Sequence, residues 1–118
     1  MDVAGIIITV FCGLTALISA SGKLTRQEAI VEILDHVQVS GTLRTVLPYI
    51  QIAGGVAALV GLFVLPALSV AALAGLALYY AGAVGFHVRV GDSPTQSAVP
   101  LGLTIVAAAG AIIRSITL

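Results

Sequence analysis

Charge is scarce in this chain. Of its 118 residues only 8% are charged, where a soluble globular domain carries roughly 25%. With 59% of its residues hydrophobic, a soluble fold of this size would bury about 60–70% of its surface and still present an apolar exterior to water. A lipid surrounding removes that conflict. The five basic and five acidic residues cancel, which excludes the strongly basic face that nucleic acid requires. Cysteine is nearly absent: Cys12 stands alone in the first apolar run, so an intrachain disulfide and a CxxC redox centre are both excluded. An apolar site makes such a thiol an inert packing residue. Two histidines alone make no metal site, and the chain has neither two acids at catalytic spacing nor a Ser–His–Asp set in a convincing context. The basic leader of a signal peptide is missing too, since Asp2 is the only charge before the first apolar run, which therefore reads as a retained helix.

What is present is long apolar runs. Val3 to Gly22 is 20 residues without a charge, about the 30 Å of a hydrocarbon core at 1.5 Å per residue. Lys23 follows, a cation able to snorkel to the headgroups. Thr45 to Phe86 is 42 uncharged residues, about twice the membrane thickness as one helix, so the run must fold back on itself. Pro66 is the natural break, because proline lacks the amide hydrogen and disfavours helix in the residue before it. The last uncharged stretch, Ser93 to Ile113, opens with Pro94 and Pro100 and closes at Arg114. The expected fold is therefore all-α, a single four-span membrane bundle over residues 1–118, with spans near 3–22, 46–64, 67–86 and 98–114.

Lys23 to Arg44 is of another kind and holds most of the charge. Ile30, Ile33, Leu34 and Val37 recur at i, i+3, i+4 and i+7, while Glu28, Glu32 and Asp35 line the opposite face, the pattern of a short amphipathic interfacial helix. The capping-box spacing Thr25-Arg26-Gln27-Glu28 places it over about 26–38. Its polar face is acidic, which disfavours anionic lipid, so it is expected to pack over the bundle. Small residues from Ala71 to Gly85 mark the third span as the central helix with closely approaching neighbours, and Gly54, Gly55 and Gly61 do the same for the second. Lys23, Arg26, Arg44 and Arg89 fall in the connections on one side, against Arg114 and the N-terminal amine on the other, so the positive-inside rule places those connections in the cytoplasm.

Ionisable groups in a membrane protein are the first place to look for function, and here none sits mid-span. Phe86-His87-Val88-Arg89-Val90-Gly91-Asp92 gathers imidazole, guanidinium and carboxylate at one membrane face; it can bind an anion or share protons, or serve as a stop signal with a local Arg89–Asp92 pair. Ser19, Ser21, Lys23, Glu28, Glu32, Asp35 and His36 lie on the same side after an even number of crossings. Lys23 and Arg89 can then meet Glu28, Glu32 and Asp92 across a shared polar cap, either an ion-pair lock on the bundle's end or the rim of a pocket. Tyr80 and His87, seven apart, share a helix face and can line a ligand pocket or satisfy each other; Gln51 and Tyr79 are further polar side chains able to enter the bundle, and Tyr49 is an interfacial anchor. The candidate ligand-binding residues are Lys23, Tyr80, His87, Arg89, Asp92 and Glu28, with no metal ligands and no catalytic residue assigned.

Phe11 to Leu24, with its Ala20-Ser21-Gly22-Lys23-Leu24, and Phe86 to Asp92 followed by Pro100-Leu101 resemble the DoxX-like family of small bacterial membrane proteins. The resemblance covers nearly the whole chain and implies a compact four-helix bundle in the bacterial cytoplasmic (inner) membrane. The family takes its name from a subunit linked to thiosulfate oxidation with quinone as acceptor, and some relatives are described as membrane partners of redox enzymes. This chain has no residues for holding a flavin, haem or iron–sulfur centre, so no cofactor is expected. More distantly, the architecture is similar to the sigma-2 receptor and sterol-isomerase group, which place acids inside the membrane where this chain does not.

Three readings follow. The first is a non-catalytic membrane subunit, a partner of another protein or of further copies of itself, in a larger and redox- or quinone-linked complex. The alternative is an intramembrane enzyme or binder for a lipophilic molecule such as a quinone, isoprenoid or lipid. A small-solute carrier or channel comes third.

Overall fold

In the computed structural model, which describes residues 3–25, 28–38, 41–92 and 98–116, the first helix, α1 (Val3–Leu24), is built inside out relative to a soluble helix. Its buried stripe is Gly5, Thr9, Cys12, Gly13, Ala16 and Ala20, all small, at i+3 and i+4 spacing. Ile7, Phe11, Leu14 and Ile18 recur at the same spacing on the exposed face. Between helices in lipid no hydrophobic force favours large side chains, so small residues take the contacts and bulky ones face the acyl chains.

Four further helices follow: α2 (Glu28–His36), α3 (Gly41–Gly61), α4 (Pro66–Arg89) and α5 (Ala98–Ile116). Of the five, α1, α4, α5 and Thr42–Gly61 of α3 are long and apolar enough to cross a membrane. The longest dimension is 40 Å, close to a bilayer with its headgroups. The first, third and fourth spans begin within a residue of expectation and run two or three residues further at their ends. α3 starts four or five residues early and takes in Arg44 and Pro48. Pro48 is buried there although it cannot donate the helical bond back to residue 44.

α1 packs on α3 and α5, and α4 packs on the same two, so α1 and α4 lie across a diagonal. The third span is therefore one corner of a four-cornered bundle rather than its centre. Its glycines also correct the sequence reading: a Cβ at Gly75, Gly82 or Gly85 would meet nothing within 4 Å. The close approaches belong to other helices. A Cβ on Gly55 would stand 2.9 Å from the Gly13 carbonyl oxygen, and one on Gly13 3.2 Å from that of Gly55, so α1 and α3 touch backbone to backbone. Small residues permit proximity; the partner's shape decides where it happens.

The turn between α3 and α4 spans residues 62–65, with Pro66 in the first turn of α4, where its missing N–H would have no helical acceptor anyway. Ser69 Oγ donates to the Ala58 carbonyl at 2.8 Å and ties the two helices behind the turn. Cys12, Ala16, Leu73, Leu76, Tyr80 and Ala107 form the bundle core.

α2 lies over one end of this bundle. Leu34 and Val37 pack with Ile30 against Leu47, Phe86 and Val90, while Ile33 is half exposed. α2 begins at Glu28; Arg26 and Gln27 of the expected capping box lie outside the described residues. Thr25 instead closes α1, its Oγ1 donating to the Ser21 carbonyl at 2.8 Å.

Candidate functional site

The end of α4 is shaped by local sequence. Gly91 adopts a φ of 79°, a left-handed conformation that glycine takes at no steric cost. Its N–H reaches the Val88 carbonyl and the Asp92 N–H the His87 carbonyl, each at 3.0 Å. Those are the paired bonds of a Schellman stop, and they fold Asp92 back over the last turn. Its carboxylate then meets His87 Nδ1 at 2.6 Å and His36 Nε2, from α2, at 2.7 Å. An ionised carboxylate only accepts, so both facing ring nitrogens carry their hydrogens. The Asp92 side chain is 4% exposed between a His87 at 13% and a His36 at 55%. Hydrogen bonds from His36 and His87 hold its carboxyl below the usual carboxylate range.

Asp92 therefore pairs with two imidazoles and not with Arg89. Arg89 donates instead to the carbonyls of Val37 at 3.0 Å and Gln38 at 3.2 Å, satisfying acceptors that the end of α2 leaves open, and lies 4.6 Å over the Phe86 ring. Asp35 accepts from Arg44 at 2.6 Å. α2 is thus fastened at its C-terminal half to α3, to α4 and to the turn after α4.

A second polar chain enters the bundle from α1. Lys23 Nζ donates to Ser19 Oγ at 2.8 Å and to Gln51 Oε1 at 2.9 Å. Gln51 is fully buried, and its Nε2 donates to the Tyr80 hydroxyl at 3.4 Å. The Tyr79 and Tyr80 rings stand edge to face, 5.3 Å between centroids, with Lys23 Nζ 6.0 Å from the Tyr79 ring. The expected pairing of Lys23 with Glu28 or Glu32 is absent; the amine turns inward to neutral oxygens. Tyr80 and His87 do not satisfy each other either, since Tyr80 is met by Gln51 and His87 by Asp92.

Both polar groups face one cleft of about 810 Å³, whose largely apolar walls come from all five helices. Ser19, Lys23, Gln51, Tyr79 and Tyr80 stand on its wall together with His36, His87 and Asp92. That volume lies within the roughly 300–1,000 Å³ of small-molecule sites, which typically combine apolar walls with a few converging polar groups. Of the residues singled out from sequence, Lys23, Tyr80, His87 and Asp92 come together here. Arg89 is used to fasten α2, and Glu28 is exposed in the first turn of α2, outside the cleft lining. Gln51 and His36 bring these elements together across 28 and 56 residues, which no sequence spacing signals, whereas Ser19 meets Lys23 at the i, i+4 spacing of one helix.

A smaller cleft of about 440 Å³ lies between α1, α2 and the start of α3, bordered by Arg44, Thr45 and Tyr49. At the far end of the bundle Arg114, expected only to close the last span, is 2% exposed. A Cβ on Gly5 would stand 3.2 Å from its Cδ, so the guanidinium stem packs where α1 has no side chain. Among the described residues no group of three or more His, Cys, Asp or Glu side chains is placed to hold a metal ion.

Four apolar helices able to span a membrane, capped at one end by an amphipathic helix over a cleft, define a small multi-pass membrane bundle. The sequence profile of the DoxX-like family matches residues 7–110, and the chain belongs to that family. Both motifs on which the resemblance rested, Phe11–Leu24 and Phe86–Asp92 with Pro100-Leu101, fall inside the matched range. Comparison with curated proteins and with solved structures finds no match.

Proposed function

We propose that this membrane protein binds a lipophilic molecule with a polar head, of the quinone, isoprenoid or lipid kind, in the cleft beneath α2. The observation that carries the reading is the convergence of two polar groups, Lys23–Gln51–Tyr80 and His36–Asp92–His87, on one mainly apolar space of about 810 Å³. Apolar walls recognise the body of such a ligand, and the polar groups orient its head. The reading is one of binding and specialises the subunit role rather than opposing it: a chain that holds a lipophile at one membrane face can do so within a larger assembly. The positive-inside balance supports placing this face in the cytoplasm of a bacterial cell, with the bundle in the cytoplasmic membrane.

The test uses Gly82, which lines the cleft and whose added Cβ would meet nothing within 4 Å. Gly82→Phe adds a bulky ring at the cleft wall from a position where the first side-chain carbon meets nothing within 4 Å. Mass spectrometry of gently purified wild type should find a lipophile at a stoichiometric ratio, and Gly82→Phe of equal helicity should lose it. Only bulk lipid in the wild type, or equal retention by the variant, overturns the reading.

A further inference from the structure

Lys23 is placed differently from the other cations described at this end of the bundle. Arg44 has the Asp35 carboxylate, and Arg89 has two carbonyls at the negative end of the α2 dipole. Lys23 Nζ donates to the neutral oxygens of Ser19 and Gln51 and stands 6.0 Å from the Tyr79 ring, and none of the described carboxylates ion-pairs with it. Asp92, on the same cleft wall, is occupied by two imidazoles. An ammonium has three donors, and two are used. Tyr80 accepts from Gln51, which leaves its own O–H to donate. Glu32 also lines the cleft, but on the exposed face of α2, where water screens its charge. A half-buried cation beside apolar walls, with two donors to spare nearby and no carboxylate on it, is complementary to an anionic head with two oxygens.

We propose that the occupant of the cleft is an amphiphilic anion, its carboxylate or phosphate head on Lys23 and Tyr80 and its apolar chain along the cleft wall. The proposal rests on the reading of the cleft as a lipophile site and adds the charge of the ligand to it. A neutral head would use the same donors but leave the ammonium charge unanswered.

Palmitate and hexadecanol, which share a chain and differ in the head, separate the two. Binding is followed in phosphatidylcholine nanodiscs by tyrosine emission, since the chain has no tryptophan and two of its three tyrosines stand at the site. Wild type should bind palmitate about tenfold to a hundredfold more tightly than hexadecanol, the range for a hydrogen-bonded ion pair. Lys23→Gln should bring the two within about threefold, and Lys23→Arg should keep most of the preference. Should Lys23→Gln fail to fold by circular dichroism, the wild-type ratio decides alone. Equal affinities in wild type, or an undiminished preference in folded Lys23→Gln, overturn the proposal while leaving the lipophile site in place. Binding of neither probe overturns both. Displacement of palmitate by phosphatidylglycerol in the disc identifies the anion's source as bilayer lipid, and its failure to displace identifies a free acid.

Discussion

Replacing Gln51 tests whether the polar chain from Lys23 is structural, and the geometry sets the size of the effect. Gln51 is fully buried, and leucine fills nearly the same space, so Gln51→Leu opens no large cavity. It removes an acceptor 2.9 Å from the Lys23 ammonium, a bond to a charged group worth about 1.5–3 kcal/mol. Half-burial of Lys23 lets water replace part of it, which brings the cost to about 1–2 kcal/mol. The contact with Tyr80, at 3.4 Å, is beyond the usual range for such bonds and adds little. Gln51→Glu acts differently: it places a carboxylate on the amine. Desolvation of the new charge offsets the attraction, so stability near neutral pH should stay within about 1 kcal/mol of wild type. The carboxylate would occupy the position assigned to the ligand head, and palmitate affinity should fall about tenfold or more. Unfolding in mixed micelles followed by circular dichroism, with binding in nanodiscs, reads both effects. A Gln51→Leu protein as stable as wild type would refute the structural claim. Undiminished palmitate binding by Gln51→Glu would refute the electrostatic one.

Glycines should respond with opposite signs. Gly55→Ala forces a methyl to 2.9 Å from the Gly13 carbonyl oxygen, backbone that cannot swing aside, and should cost about 1–3 kcal/mol; Gly75→Ala, with nothing within 4 Å, should be neutral or gain up to about 1 kcal/mol from helix propensity, both read by unfolding in the same micelles. The Asp92 carboxyl, held low by His36 and His87, binds its proton later in the folded than in the unfolded chain. Its contribution is complete above the ordinary carboxylate value of about 4 and is lost as pH falls through the lower folded value. Stability measured downward from pH 5 should therefore fall more steeply in wild type than in Asp92→Asn, and equal slopes would count against the clasp.

The spans were legible because their signal is local and repeated: charge-free runs of bilayer length and a proline where the long run must turn. The amphipathic helix was legible for the same reason, its period surviving in Ile30, Leu34 and Val37. The cap was legible only as a neighbourhood. Topology brings Lys23, His36, His87 and Asp92 to one membrane face, but which pairs form depends on which way each side chain turns. Opposite charges imply Lys23–Glu and Arg89–Asp92 pairs; the Schellman stop at Gly91 folds Asp92 onto His87 instead, and Gln51 draws Lys23 inward. The stop signal at Gly91-Asp92 was legible in the sequence, but the partner it gives Asp92 was not. Gln51 stood out as one amide in an apolar helix, but its partners, Lys23 and Tyr80, come from two other helices and carried no local sign.

Small residues do different work at different places in the bundle. Gly13, Gly55, Gly61 and Gly110 each have a neighbour so near that a Cβ would collide with it, which draws helices together through the middle and the turn end. Gly82 and Gly85 near the end of α4 and Gly102 near the start of α5 meet nothing within 4 Å. Those glycines sit where the chain is capped by α2, and Gly82 lies on the cleft wall itself. Backbones touch where α1 crosses α3, whereas side chains leave the cleft under α2 open, with Gly82 on its wall. A bundle stabilised only by packing in lipid gains nothing from such a gap, and here the gap is roofed by a helix held through Arg44, Arg89 and Asp92. That combination, close helices on one side and an apolar space beside a cation on the other, is what the proposed lipophile site would require.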